Sequence, residues 1–163
     1  MKISIKRVLF NIFAIITVLL TVFVAFLLIS GTKVFAVQSN SMLPVMEKNA
    51  LVFVRPTQFE LLQTGDIISA HFPDNDGVFT HRIIEINEQE KQITTKGDYN
   101  MSVDPMPTDA DRIIGKYWFS VPYLGFAALN INSYHLLYVV EAIALILILI
   151  RVILQISQRR KER

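Results

Sequence analysis

The spacing of apolar and polar positions divides the chain into three parts. Residues 8–29 are almost wholly apolar, interrupted by Asn11, Thr17 and Thr21. At about 1.5 Å per residue, a helix of roughly 22 residues spans the hydrocarbon core of a bilayer. From Met46 to about Phe126 the pattern changes to short apolar runs between turn-forming clusters. Residues 51–54, 67–72, Val78–Asn87, Gln92–Lys96 and Ile113–Val121, the last carrying Trp118, read as strands. Gly65-Asp66, the run 73–77 and the polar run 88–91 read as turns. This spacing predicts an antiparallel, barrel-like or sandwich-like domain. Residues 136–156 form a second apolar stretch, with Glu141 and Arg151 near its opposite ends, where their side chains can snorkel.

The flanks of the two apolar stretches predict one topology. Lys2, Lys6 and Arg7 precede the first; Arg159, Arg160, Lys161 and Arg163 follow the second. Basic residues stay on the cytoplasmic side. The expected organisation is a cytoplasmic start (1–7), a membrane anchor (8–30), an extracytoplasmic β-rich domain (31–134), a second spanning helix (135–157) and a basic cytoplasmic tail (158–163). Two alternatives compete. Val34-Phe35-Ala36 has the small-residue pattern of a signal-peptide cleavage site, although the apolar run before it exceeds an h-region of about 7 to 15 residues. The second stretch can also be an amphipathic surface helix instead of a span. Residues 123–129 are apolar and aromatic, read either as core or as a surface on lipid headgroups.

Composition narrows the function. Apolar residues make up 52% of the 163, high for a soluble domain. A net charge of +2, with the basic residues mainly at the ends, does not suggest a nucleic-acid binder. There is no cysteine, hence no disulfide and no thiolate metal site. His71, His81 and His135 are too scattered to suggest zinc.

The candidate chemistry begins at Val37-Gln38-Ser39-Asn40-Ser41-Met42-Leu43-Pro44, just past the first apolar stretch. Pro44 fixes its own φ and biases Leu43 toward an extended conformation. A serine on such a corner serves as a nucleophile when a base reaches it. A lone Ser-x-Ser turn is ordinarily only a turn, so the rest of the chain decides. His81 is the candidate base, since imidazole suits proton transfer near neutral pH. Strand alternation puts His81, Ile83 and Glu85 on one face and Arg82, Ile84 and Ile86 on the other. Arg82 reads as solvated or ion-paired. Asp98 and Asp104 are both placed to orient a histidine; Asp109 and Asp111 read as turn residues bonded to backbone amides, and Asp66 as a turn residue behind the site.

These stretches carry a resemblance. Val37 to Pro44 resembles the nucleophile box of type I signal peptidases. Gly65-Asp66-Ile67-Ile68, Thr80-His81-Arg82-Ile83-Ile84 and Thr95-Lys96-Gly97-Asp98-Tyr99-Asn100 leading to Asp104 follow in that family's order, over roughly residues 1–125. Most bacterial members have lysine before the arginine; His81 here is similar to the endoplasmic-reticulum, archaeal and SipW-like branch, which uses Ser, His and Asp. The resemblance implies a mainly β, signal peptidase-like catalytic domain of antiparallel sheets after an N-terminal transmembrane anchor; the C-terminal transmembrane helix is expected from the second apolar stretch and its basic flank. It implies Ser41 as nucleophile, His81 as base and Asp104 as the orienting acid, with Asp98 supporting. It also implies that the Ser41 N–H and the Ser39 hydroxyl hold the oxyanion. Lys96 lies in a turn box and not in the lysine position; Lys33 and Lys48 read as surface charges.

The implied function is a membrane-bound serine endopeptidase that removes signal peptides from exported preproteins after small residues at −1 and −3. The implied partners are preprotein signal peptides, the bilayer and an open set of further membrane subunits, with no nucleic acid, metal or organic cofactor. Two rivals remain: a self-cleaving repressor type, which needs a lysine base and a DNA-binding half, and an inactive double-anchored scaffold or sensor.

Overall fold

The computed structural model describes residues 5–75, 77–125 and 133–161. It divides into two units, a helical one (Met1–Ile29 with Tyr134–Arg163) and a β unit (Ser30–Ser133).

In the helical unit, α1 (Ile5–Ile29) and α2 (Ser133–Lys161) occupy the two apolar stretches. Among the described residues, the stretch Asn11–Ile29 is long and apolar enough to cross a membrane. The guanidinium of Arg151 donates a hydrogen bond to the Asn11 side-chain oxygen, joining the last third of α2 to the first third of α1.

The β unit is one seven-stranded sheet. Its strands are β1 (Lys33–Ala36), β2 (Leu51–Arg55), β3 (Ile67–His71), β4 (Val78–Asn87), β5 (Gln92–Lys96), β6 (Thr108–Asp109) and β7 (Ile113–Val121). Their order is β1-β2-β7-β3-β4-β5-β6, and every pairing is antiparallel. The last strand inserts between β2 and β3 and so joins the two halves of the sheet. The strands expected at 78–87, 92–96 and 113–121 form with those bounds.

Burial on both sides of the sheet explains why β2 and β3 read as continuous apolar runs. Neighbouring residues on one strand point to opposite faces. Ile67 and Ile68 accordingly enter two different cores, as do Ile114 and Ile113. The first core gathers Met42, Met46, Val52, Val54 and Ile67; the second gathers Leu62, Ile68, Ala70, Ile83 and Ile93.

Val34-Phe35-Ala36 lies in strand β1, with Val34, Phe35 and Ala36 paired to Phe53, Val52 and Leu51. Two expectations need correction. The alternation on β4 holds only to Ile83. A bulge between Ile83 and Glu85 against β5 leaves Ile84 exposed, puts Ile86 beside Ile83 against the second core, and leaves Glu85 exposed. Asp109 does not bond backbone amides: its carboxylate accepts from Gln92 Nε2 at 2.9 Å and pairs with Arg112 at 3.0 Å. Of the stretch 123–129, Tyr123 and Leu124 are exposed and Gly125 is buried; residues 126–129 lie outside the described residues.

Candidate active site

The serine corner is pinned from behind. Met42 is 2% exposed and buried in the first core, worth about 1.5–3 kcal/mol of transfer free energy. The Leu43–Pro44 peptide is cis. Met46 N donates to Met42 O at 3.1 Å, and Lys48 N donates to the Asn40 side-chain oxygen at 3.1 Å. These bonds close the turn, and Ser41, next to the buried methionine, stays at the surface.

The loop after β5 holds the turn from the other side. Tyr99 N donates to Ser41 O at 2.8 Å, and Asp98 N approaches Met42 Sδ at 3.5 Å. Gly97 makes this approach possible: a Cβ there would lie 2.7 Å from Ser41 O. A side chain at that position would force the two segments apart.

His81 lies on β4, on the same face as Ile83, which is fully buried in the second core. Its ring packs against Phe79, with centroids 5.4 Å apart. Nε2 is 3.2 Å from Ser41 Oγ, and Nδ1 is 2.6 Å from Asp104 Oδ2. A carboxylate accepts only, so Nδ1–H donates a hydrogen bond to Asp104. Nε2 is then left to accept from the serine hydroxyl.

Asp104 is held by β5. Asp104 N donates to Thr95 O at 2.8 Å, and Thr95 Oγ1 donates to Asp104 Oδ2 at 2.7 Å. Thr95 is fully buried and stands opposite Ile83 across the β4–β5 pair, on the His81 face. With side-chain exposures of 13% for His81 and 20% for Asp104, the pair is largely withdrawn from water.

The other sequence candidates fall as follows. Ser39 Oγ lies 3.1 Å from Ser41 Oγ and accepts from Ser41 N at 3.5 Å. Asp98 lies on the opposite face of β4 from His81. It accepts from Arg82 Nε at 2.7 Å and from Arg82 Nη2 at 2.6 Å, while Arg82 Nη1 donates to Gly65 O at 2.7 Å. The hydrogen bonds that Arg82 donates to Asp98 raise the guanidinium above its ordinary pKa; burial opposes this, and the Asp98 charge adds a smaller increase. Arg82 is thus the ion-paired residue expected, and it clamps the loop carrying Asp98 to the turn at Gly65. Lys96 pairs in register with Arg82, so it shares that face and points away from His81. Asp66 accepts from Gln63 N at 3.1 Å and pairs with Lys116 at 2.6 Å. Among the described residues, no group of three His, Asp or Glu side chains is placed to hold a metal ion.

Sequence reasoning passed over two contributors. Thr95 holds Asp104, and its only local mark is its inward position on β5. Phe79 packs on the imidazole; its mark is its two-residue spacing from His81. A cleft of about 130 Å³ opens beside His81 and Asp104, lined also by Phe72, Phe79 and Met106.

The arrangement is one that acyl transfer to a serine requires: a hydroxyl on a pinned corner, an imidazole within reach, and a carboxylate fixing the tautomer. The chain is 25% identical over 130 residues to the signal peptidase complex catalytic subunit SEC11 of Schizophyllum commune, a match covering 63% of this chain and 66% of that protein. The chain thus spans just under two thirds of that relative's length. Residues 7–103 match the family described as signal peptidase, peptidase S26, a match that takes in Ser39, Ser41, His81 and Asp98 and stops one residue before Asp104. With more than half its length matched, the chain belongs to the peptidase S26 signal peptidase family.

Proposed function

We propose that the chain is a membrane-bound serine endopeptidase that cleaves signal peptides from exported preproteins, acting through Ser41, His81 and Asp104. The observation that carries this reading is the row Ser41 Oγ, His81 and Asp104, with contacts of 3.2 and 2.6 Å. In the proposed reaction Ser41 Oγ bonds to the scissile carbonyl carbon as its proton moves to His81 Nε2. The tetrahedral oxyanion accepts from Ser41 N–H and the Ser39 hydroxyl. Collapse breaks the C–N bond, and His81 gives its proton to the leaving amine. Water then repeats the sequence on the acyl-serine, releasing the carboxylate and restoring the serine. Asp104 keeps Nδ1 protonated and stabilises the charged ring; Asp98 supports the site by holding Arg82. The family's taste for small residues at −1 and −3 is proposed for this chain as well.

The topology belongs to the same proposal. α1 spans the membrane, the β unit lies outside the cytoplasm, and α2 returns through the bilayer to a basic tail. The Arg151–Asn11 hydrogen bond supports the return, since it pairs a polar residue near the start of one apolar stretch with a charge near the end of the other. Burying that charge in lipid without a partner would be costly. The three side chains in line also favour an active enzyme over an inactive scaffold.

The test is co-expression with an epitope-tagged preprotein. Wild type is expected to give the shortened product, and Ser41→Ala only the precursor, with both proteins present in the membrane fraction. Equal processing by both would refute the proposal.

A further inference from the structure

The cleft beside His81 has no part in the chemistry above. Phe72, Pro73, Phe79, Pro105 and Met106 form most of its lining, beside His81, Asp104 and Thr108. The rings of Phe72, Phe79 and His81 follow one another at centroid distances of 5.1 and 5.4 Å. At about 130 Å³ it is well below the roughly 300 Å³ at which small-molecule pockets begin, so it has room for one side chain. Arg112 also lines it, but its charge is met by Asp109 at 3.0 Å and its Nη2 also donates to Pro107 O at 2.8 Å. The cleft therefore presents a mainly apolar wall, the Asp104 carboxylate, and the Arg112 guanidinium, which is paired through Nη2 while its Nε is buried without a hydrogen-bond partner among the described residues.

We infer that this cleft receives the side chain of the first residue after the scissile bond and makes the enzyme selective for an apolar one there. The inference rests on the protease reading above. Its geometric basis is the position of the cleft: it is lined by the imidazole and its acid, and not by Ser41. The acyl half of a substrate is bonded to Ser41 Oγ and held by the donors at Ser39 and Ser41. The leaving nitrogen must come to His81 Nε2 to take its proton. The residue attached to that nitrogen is thus carried to the imidazole side, within a side chain's length of the cleft. Leucine, methionine or phenylalanine buries apolar surface against Phe72, Phe79 and Met106. Aspartate would bring a second carboxylate beside Asp104 and lose hydration in an apolar groove.

The test uses the purified full chain in detergent with a series of preprotein substrates. The residues before the scissile bond are kept constant, and the residue after it is phenylalanine, leucine, alanine or aspartate. The quantity read is kcat/KM. The wild-type ratio of phenylalanine to aspartate is expected to be about tenfold or more, the scale on which one side-chain pocket discriminates. Met106→Lys, at a half-exposed wall position, is expected to bring that ratio to one or below. Phe72→Ala, at another half-exposed wall position, is expected to lower it as well. A flat wild-type series overturns the inference and leaves the protease reading standing. So does an unchanged ratio in both variants. If wild type cuts no member of the series, the protease reading fails and this inference falls with it.

Discussion

Thr95 Oγ1 donates a hydrogen bond to Asp104 Oδ2, the same oxygen that accepts the hydrogen bond from His81 Nδ1–H. With its backbone carbonyl also taking Asp104 N, this buried threonine fixes the acid at two points. Hydrogen bonds to charged groups contribute about 1.5–3 kcal/mol. Thr95→Val keeps the shape and removes the donor, so kcat is expected to fall by roughly tenfold with KM little changed. Thr95→Ser should recover most of the rate. Steady-state cleavage assays on the three proteins check this; a Thr95→Val enzyme at full rate would show that Asp104 needs no such support.

Gly97 tests how closely the serine corner must be held. In Gly97→Ala the new Cβ would meet Ser41 O and the Asn100 side chain, each at 2.7 Å. Overpacking of this kind costs about 1–3 kcal/mol and shifts backbone. The expected result is a drop in melting temperature together with a loss of activity of more than about tenfold, since small displacements of a reacting group are costly. Thermal melts and kinetics on one preparation read both effects.

The Arg82–Asp98 pair is assigned to structure, and its pH behaviour follows from its sign. The Arg82 pKa is raised on folding. A raised basic group contributes stability that is fully present below the unfolded value and lost only as pH rises through the folded one. For a guanidinium that loss begins above about pH 12. Asp98→Asn is therefore expected to be destabilised by about 1–3 kcal/mol, discounted for the 32% exposure of the Arg82 side chain. The difference from wild type should be constant between pH 7 and 10. Urea unfolding at several pH values measures it. A difference that vanished across that range would show that the arginine is not the partner.

Much of the β unit was legible because its strands are apolar runs bounded by turn residues. Val78–Asn87 lies between Gly77 and a polar run, and Gln92–Lys96 between that run and Gly97. β1 escaped notice because Lys33–Ala36 directly follows the apolar helix, with only a short break at Ser30-Gly31-Thr32. β6 is two residues long and owes its existence to Gln92 and Ile93 opposite it. The bulge after Ile83 is a property of the β4–β5 pairing, and no residue type there announces it. Within the site, Ser41 and His81 stood out by motif. Asp98 and Asp104 were harder to separate, since both lie in one loop and differ in which face of β4 they meet. Thr95 was illegible, because its partner is set by where a loop returns.

The central claim is that Ser41 and His81 act as one unit. The most direct measurement is cleavage of a single preprotein by wild type, Ser41→Ala, His81→Ala and the double variant, with rates corrected for folded protein. Each single substitution is expected to reduce kcat by at least about a thousandfold, and the double variant should be no slower than either, as for groups that serve one step together. Near-normal cleavage by His81→Ala, or single losses that multiply in the double variant, would contradict the account.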